Sequence, residues 1–333
     1  MINLAQSILR GERLATARLL THIENDTPQG REALDILFAH TGKAHLIGIT
    51  GSPGTGKSSL VNQIALQFRK LEKKVAIVAI DPTSPFTGGA VLGDRVRMRD
   101  LAGDPGVFIR SMASRGSLGG LAQATSGVVQ VFDAAGFDII LIETVGAGQS
   151  EVDIARLAHT TLVVEAPGFG DDIQAIKAGI LEIADILVIN KADHPGVEGT
   201  EKALKSMLDL AHPVQKIFQH HGQAITIPED SRPPQNDDQK TWIPPICKTI
   251  AINGSGVSEL VEAIQRHEQF LRKTGEWHIR EKARLYSEFE NYLQQALMER
   301  FRASVSDTTI EQTLASIHTR KLSMRKAVNI LLR

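Results

Sequence analysis

Gly51-Ser52-Pro53-Gly54-Thr55-Gly56-Lys57-Ser58 decides the fold of this chain of 333 residues. The stretch has the spacing G-x-x-x-x-G-K-[ST]. The apolar run Leu46-Ile47-Gly48-Ile49 precedes it, and a helical pattern from Ser59 to Arg69 follows. Strand, glycine loop and helix in that order form a cradle for phosphate oxygens. The glycines let backbone N–H groups turn inward, and the helix N-terminus adds its positive end. Lys57 then reaches the β/γ-phosphates, the Ser58 hydroxyl ligates Mg²⁺, and Ser59 joins Gly51–Ser58 among the expected nucleotide-binding residues. The loop predicts a nucleoside triphosphate ligand without naming its base.

Composition sets bounds on the rest. Hydrophobic residues make up 42% of the chain, enough for a full globular core. Lys plus Arg number 37 against 38 Asp plus Glu, so the net charge is −1. That balance argues against nucleic acid as a partner. The single cysteine, Cys247, excludes a disulfide framework and a thiolate-rich metal site. No apolar run approaches the ~18 residues of a membrane span. The first residues lack a signal-peptide core and carry Glu12, Glu24 and Asp26. The expectation is a cytoplasmic protein with no membrane partner.

Residues 2–24 show helical spacing broken near Gly11, and 31–41 form a second short helical pattern. From Ala44 to Leu271 short apolar runs alternate with helical patterns. The runs are Leu46–Thr50, Val75–Ile80, Val107–Ile109, Ile139–Ile142, Thr161–Glu165, Ile186–Ile189 and a last one near Ile246–Ile252. Such alternation predicts an α/β fold, a P-loop NTPase with a mainly parallel sheet covered by helices on both faces. Ligands of such sheets sit at the carboxyl ends of the strands. Gly51, Asp81, Glu143 and Asn190 each follow a run directly, which gathers them on one edge. Residues 222–245, rich in Pro, Asp and Gln, read as an exposed insertion. After Gly275 the pattern is all helical. Leu285, Phe289, Tyr292, Leu293, Ala296, Leu297 and Phe301 share one stripe of a long helix, followed by segments at Thr308–His318 and Leu322–Leu332. The predicted organisation is a helical extension over 1–43, a nucleotide domain over 44–272 and a helical dimerisation region over 273–333.

A second motif selects the base. Ile186–Ile189 leads into Asn190-Lys191-Ala192-Asp193, an N-K-x-D sequence. The Asp193 carboxylate only accepts hydrogen bonds. Guanine offers it N1–H and the exocyclic amine, whereas adenine has a lone pair at N1. Sites that demand such pairing reject the wrong partner by ~10⁴ or more. Lys191 lies along the purine, and Asn190 ties the base loop to the phosphate loop. The bound nucleotide is therefore read as GTP or GDP. The segment Ile250–Leu260 falls where a last base-contacting loop belongs.

Acids at two further positions suit Mg²⁺, which takes oxygen ligands and keeps several waters. Asp81 and Asp94 bound a Gly- and Pro-rich stretch after one strand, and Glu143 closes another. Gly146 stands where its N–H can meet a γ-phosphate oxygen. Gln149 lies three residues further on, not adjacent to Gly146, so it is not read as the residue that positions the attacking water.

These stretches carry a specific likeness. Gly51–Ser58, Asp81–Gly89 with Leu92–Arg95, Arg110–Gly120, Glu143–Glu151, Gly170–Glu182 and Asn190–Asp193 together resemble the methylmalonyl-CoA mutase-associated GTPases, the ArgK-type proteins. The resemblance implies a homodimeric GTPase built through C-terminal helices. It implies an adenosylcobalamin-dependent acyl-CoA mutase as partner, with GTP hydrolysis gating cofactor loading and protecting or reactivating the mutase. It also implies a third switch near 168–179, containing Asp171, Asp172 and Lys177, with Lys177 reaching the nucleotide when the partner is bound. On this reading Lys57, Asp94, Glu143 and Lys177 are catalytic, and Ser58, Asp81, Asp94 and Glu143 hold the metal. With no evident arginine finger, hydrolysis is expected to be slow alone and stimulated by the partner. Two alternatives share the fold branch: an ATP-dependent, kinase-like regulator of basic amino-acid transport, and a metal-insertion GTPase.

Overall fold

The computed structural model describes residues 2–81, 98–101, 103–113, 120–144, 150–168, 182–210, 219–220, 223–224 and 241–332. It divides into two compact units, Met1–Arg284 and Leu285–Arg333.

The first unit is built on β1 (His45–Thr50), β2 (Val75–Asp81), β3 (Val107–Ala113), β4 (Ile139–Thr144), β5 (Thr160–Glu165) and β6 (Ile186–Ile189). Two two-residue strands, β7 (Gln219–His220) and β8 (Gln223–Ala224), pair separately, and β9 (Ile246–Lys248) completes the main sheet. Among the described residues the sheet has seven strands in the order β3-β2-β4-β1-β5-β6-β9, all parallel. The apolar runs become strands because parallel strands are buried on both faces, and β1, β4, β5 and β6 are buried along their whole length.

One face carries α1 (Ile2–Leu9), α2 (Arg13–Glu24), α3 (Pro28–Leu37), α5 (Gly120–Ala134) and α6 (Ser150–Leu157). The other carries α4 (Lys57–Lys70) and α8 (Val257–Thr274), while α7 (Val197–Leu210) packs beside β6. Among the described residues Phe68 and Phe132 are the largest fully buried side chains, one on each face. Gly48 of β1 lets α6 rest directly on the strand, since a Cβ there would stand 2.4 Å from Ile154 Cγ2.

The N-terminal helices differ from expectation in one boundary. Gly11, at φ +79°, breaks the first pattern as its spacing predicts. The next helix begins at Pro28, not at residue 31, and turns into a 3-10 segment at Phe38–His40. Pro28 occupies the first helical position, where its missing N–H is no loss, and the Thr27 hydroxyl accepts from Gly30 N. Asp133 of α5 then accepts from the backbone N–H of Gly42, Lys43 and Ala44, which fixes the entry into β1.

A buried polar cluster closes the sheet edge at the strand N-termini, away from the phosphate loop. The long helix α9 (Glu276–Ser304) begins there. Arg280 donates through both terminal nitrogens to Asp185, at 2.9 and 3.0 Å, and also to the His159 carbonyl. Trp277 stacks on His159 at 3.8 Å between ring centres. The His159 Nδ1 accepts from Leu46 N, so the ring proton sits on Nε2 and is donated to Glu281. Adding a second proton would break the Leu46 bond and charge a ring that is 4% exposed. Burial accordingly pulls the His159 pKa from 6.5 to about 4. The unfolded chain protonates this residue first, so its contribution is complete above pH 6.5 and is lost as pH falls toward 4. The loss approaches about 3 kcal/mol. Burial pushes Glu281 up, but hydrogen bonds from His159 and Arg284 outweigh it and hold the carboxyl at about 2. Its contribution fades only below the ordinary carboxylate range. Thermal melts are therefore expected to drop between pH 6.5 and 4, with a flatter profile in His159→Gln. A parent profile flat across that window contradicts the assignment.

The second unit holds the distal part of α9 with α10 (Asp307–His318) and α11 (Met324–Leu331). Ser306 and Ser323 cap the two short helices. Phe289, Leu293, Leu297, Val328 and Ile330 are exposed in this unit. No helix among the described residues is long and apolar enough to cross a membrane.

Candidate functional site

The phosphate loop leaves the carboxyl end of β1, the strand that stands between β4 and β5. Gly51 adopts φ +134°, and a Cβ there would meet the Val164 carbonyl oxygen at 2.0 Å. Only glycine lets the loop turn this close to β5. Gly54 and Gly56 also take left-handed φ, and Gly56 caps α4 without any side-chain acceptor. The first N–H groups of α4 therefore face the loop, as an anion cradle requires. Arg69 and Lys70 in the last turn complement the opposite end of the helix dipole.

Lys57 is 5% exposed and donates to the Gly51 and Ser52 carbonyls at 2.8 and 2.9 Å. Its ammonium is folded over its own loop. The Thr55 hydroxyl donates to the Ser52 carbonyl at 2.9 Å. The Ser58 hydroxyl donates to Glu143 Oε1 at 2.6 Å, joining the first turn of α4 to the end of β4. This pair of oxygens suits Mg²⁺, a hard cation that takes oxygen ligands. Asp81 ends β2 on the same sheet edge. Asp94, Gly146 and Lys177, with Gln149, Asp171 and Asp172, lie outside the described residues.

Asn190 joins three segments. Its Nδ2 donates to the Thr55 carbonyl at 2.7 Å, and its Oδ1 accepts from Thr249 Oγ1 and Ala251 N, each at 3.1 Å. A side chain at Gly56 would press on Asn190 Nδ2 at 2.6 Å, so the loop glycine and the asparagine fit as a pair. Lys191 takes a left-handed φ of +55°, and Ala192 N donates to the Thr249 carbonyl. The turn that follows presents Asp193 exposed beside the loop carrying Ile252, which is 88% exposed. The segment read as a last base-contacting loop is thus hydrogen-bonded directly to the N-K-x-D turn.

One acid escaped the sequence reading. Glu165 ends β5, is 3% exposed, and receives the Ser52 hydroxyl at 3.5 Å. Its carbonyl accepts from Asn190 N. The signal that marks Glu143, an acid closing an apolar run, is present at Glu165 as well. What it lacks is a motif after it that names a chemistry.

The model of the family described as methylmalonyl Co-A mutase-associated GTPase MeaB matches residues 16–306. A protein of Pyrococcus abyssi, provisionally named a GTPase, is 41% identical over 332 residues, covering 99% of this chain and 95% of its own. GTPase ArgK of Escherichia coli is 34% identical over 311 residues, covering 90% and 92%. A methylmalonic aciduria type A homolog, mitochondrial, of Caenorhabditis elegans is 30% identical over 313 residues, covering 90% and 73%. Among solved structures, LAO/AO transport system kinase superposes with a TM-score of 0.70 over 99% of this chain and 95% of that one. At 24% identity the likeness speaks for the fold.

Proposed function

The chain belongs to the methylmalonyl Co-A mutase-associated GTPase family, so it is a P-loop GTP hydrolase, and we propose that its hydrolysis serves an adenosylcobalamin-dependent acyl-CoA mutase. In this reading the protein is a chaperone whose nucleotide state gates cofactor loading and protects or reactivates the mutase. The observation that carries it is the family match over residues 16–306, and within the site Asn190 supports a nucleotide-state device by bonding the phosphate loop, the base turn and the last loop into one unit. The presence of GTP or GDP is thereby felt at several loops at once.

The chemistry follows from the side chains. Water attacks the γ-phosphorus in line, and the β-phosphate oxygen leaves. The Lys57 ammonium and the α4 amides neutralise charge that develops on the phosphates. Ser58 and Glu143, with Asp81 and Asp94, would hold Mg²⁺, which would add to that neutralisation when bound. Asp193 reads the guanine edge, Lys191 lines the base, and Gly146 contacts the γ-phosphate. Lys177 reaches the nucleotide when the mutase is docked. The protein works in the cytoplasm as a homodimer through its C-terminal helices. The exposed apolar residues of the second unit, Phe289 and Leu297 among them, support that interface.

The test is capture from native cell extract on the immobilised protein, loaded with GDP or with a non-hydrolysable GTP analogue. A cobalamin-dependent mutase is expected to be retained, in amounts that differ between the two nucleotides. Retention of no cobalamin enzyme in either state contradicts the reading.

A further inference from the structure

One buried polar group beside the phosphate loop is left unmatched by the fold. Asn62 lies on α4, one turn past Ser58, and is 5% exposed. Around it the helix buries Leu60, Val61, Ile64, Ala65 and Phe68 against the sheet. Among the described residues the Asn62 Oδ1 is buried and has no hydrogen-bond partner. A buried amide oxygen without a donor is costly, and native folds rarely keep one unless a ligand, a water or an ion meets it.

The helix turns this oxygen to the metal side of the site. At 3.6 residues per turn, Ser58, Asn62 and Arg69 fall within about 40° of one another. Ser58 meets Glu143 of β4, and Arg69 meets Asp104 ahead of β3. Asn62, between them along the helix, therefore faces the same side of α4 as the Ser58–Glu143 pair. Helical side chains lean toward the N-terminus, so its amide is directed over the turn that carries Ser58. Residues four apart on a helix have Cβ atoms roughly 5–6 Å apart. A span of that size suits one bridging water, which stands about 2.1 Å from a Mg²⁺ ion and about 2.8 Å from its acceptor.

We propose that Asn62 is a positioning residue of the magnesium site, its Oδ1 accepting a hydrogen bond from a water in the ion's shell. This rests on the reading of Gly51–Ser58 as the nucleotide cradle. Mg²⁺ keeps several waters and polarises them, so each becomes a strong donor in need of an acceptor. A neutral amide supplies that acceptor without adding charge beside Glu143. Acceptors in this outer layer orient the groups around the ion, and their loss typically costs roughly 10–100-fold in metal affinity.

The test is a Mg²⁺ titration of the full chain loaded with a fluorescent GDP, whose release is followed after mixing with excess unlabelled GDP. In Asn62→Leu the Mg²⁺ concentration that half-maximally slows release is expected to rise roughly tenfold, while release in EDTA stays parental. Asn62→Asp keeps an acceptor and is expected to need no more Mg²⁺ than the parent. Asn62→Ala repeats the comparison should leucine pack badly. A parental Mg²⁺ requirement in both Asn62→Leu and Asn62→Ala overturns the inference. An equal change of release in EDTA also overturns it, because that marks damage to the loop and not to the ion's shell. A parent that binds GDP without any response to Mg²⁺ removes the metal site and the inference with it. Failure of the parent to bind GDP at all overturns the reading of the cradle, and is recognised before any variant is compared.

Discussion

Asp193→Asn is expected to lower affinity for GTP roughly 10³-fold or more while leaving the fold intact. The carboxylate sits exposed at the end of a turn whose shape is held elsewhere. Asn190 is fixed by three hydrogen bonds, and Ala192 N is held by the Thr249 carbonyl. Exchange of an exposed carboxylate for its amide disturbs none of these. What changes is the pattern offered to the base. The carboxylate accepts from guanine N1–H and from the exocyclic amine, whereas the amide of Asn turns an N–H₂ donor against a donor. Xanthine carries a carbonyl in place of that amine, so the variant is expected to gain affinity for XTP as it loses GTP. Competition of GTP, XTP and ATP against a fluorescent GDP reads all three. A parent that prefers ATP would support the kinase-like alternative, and an Asp193→Asn variant with parental GTP affinity would remove the base-reading role.

Much of the architecture is legible in the sequence because the strands are parallel and buried on both faces. Their Ile, Leu and Val runs announce them without any need for alternation. The misjudged ends have local causes. β3 runs on to Ala113 through Arg110 and Ser111, since Arg110 finds Glu24 of α2 as an ion-pair partner. That pairing spans distant segments and leaves no periodic trace. The start of α3 was readable from Thr27-Pro28, a capping signal that hydrophobic spacing overlooks. The Arg280–Asp185 pair was not readable at all. Nothing in a helix-start arginine or a strand-start aspartate tells that the two are buried together. At the site, the phosphate loop and N-K-x-D carry their chemistry in their spacing, and their hydrogen bonds through Asn190 follow from it. Glu165 depends on which strand lies beside β1, and strand order is a property of the fold that its own neighbours in sequence do not state.

Lys57→Ala is the other change with a large expected effect. The ammonium is buried in the loop and stands on two of its carbonyls. Alanine is a good helix former, so α4 keeps its first turn. The variant loses the one side-chain cation on the loop that can follow charge onto the phosphates during transfer. Loss of a single preorganised group of this kind costs about 10²–10³ in turnover. GTP hydrolysis by Lys57→Ala is expected to fall by that factor both alone and with partner, and protection of the mutase is expected to fall with it. Protection that survives the loss of hydrolysis would mean that nucleotide binding alone, without turnover, does the work.

Lys57→Ala also provides the blank for the most direct test of the central claim, that this GTPase is geared to a cobalamin-dependent mutase. Steady-state GTP hydrolysis is measured on the purified parent, with and without a stoichiometric adenosylcobalamin-dependent acyl-CoA mutase. The account predicts a slow rate for the protein alone and a clear acceleration when the mutase is added, absent from the variant. A fast rate without mutase, or the same rate in both conditions, would contradict it.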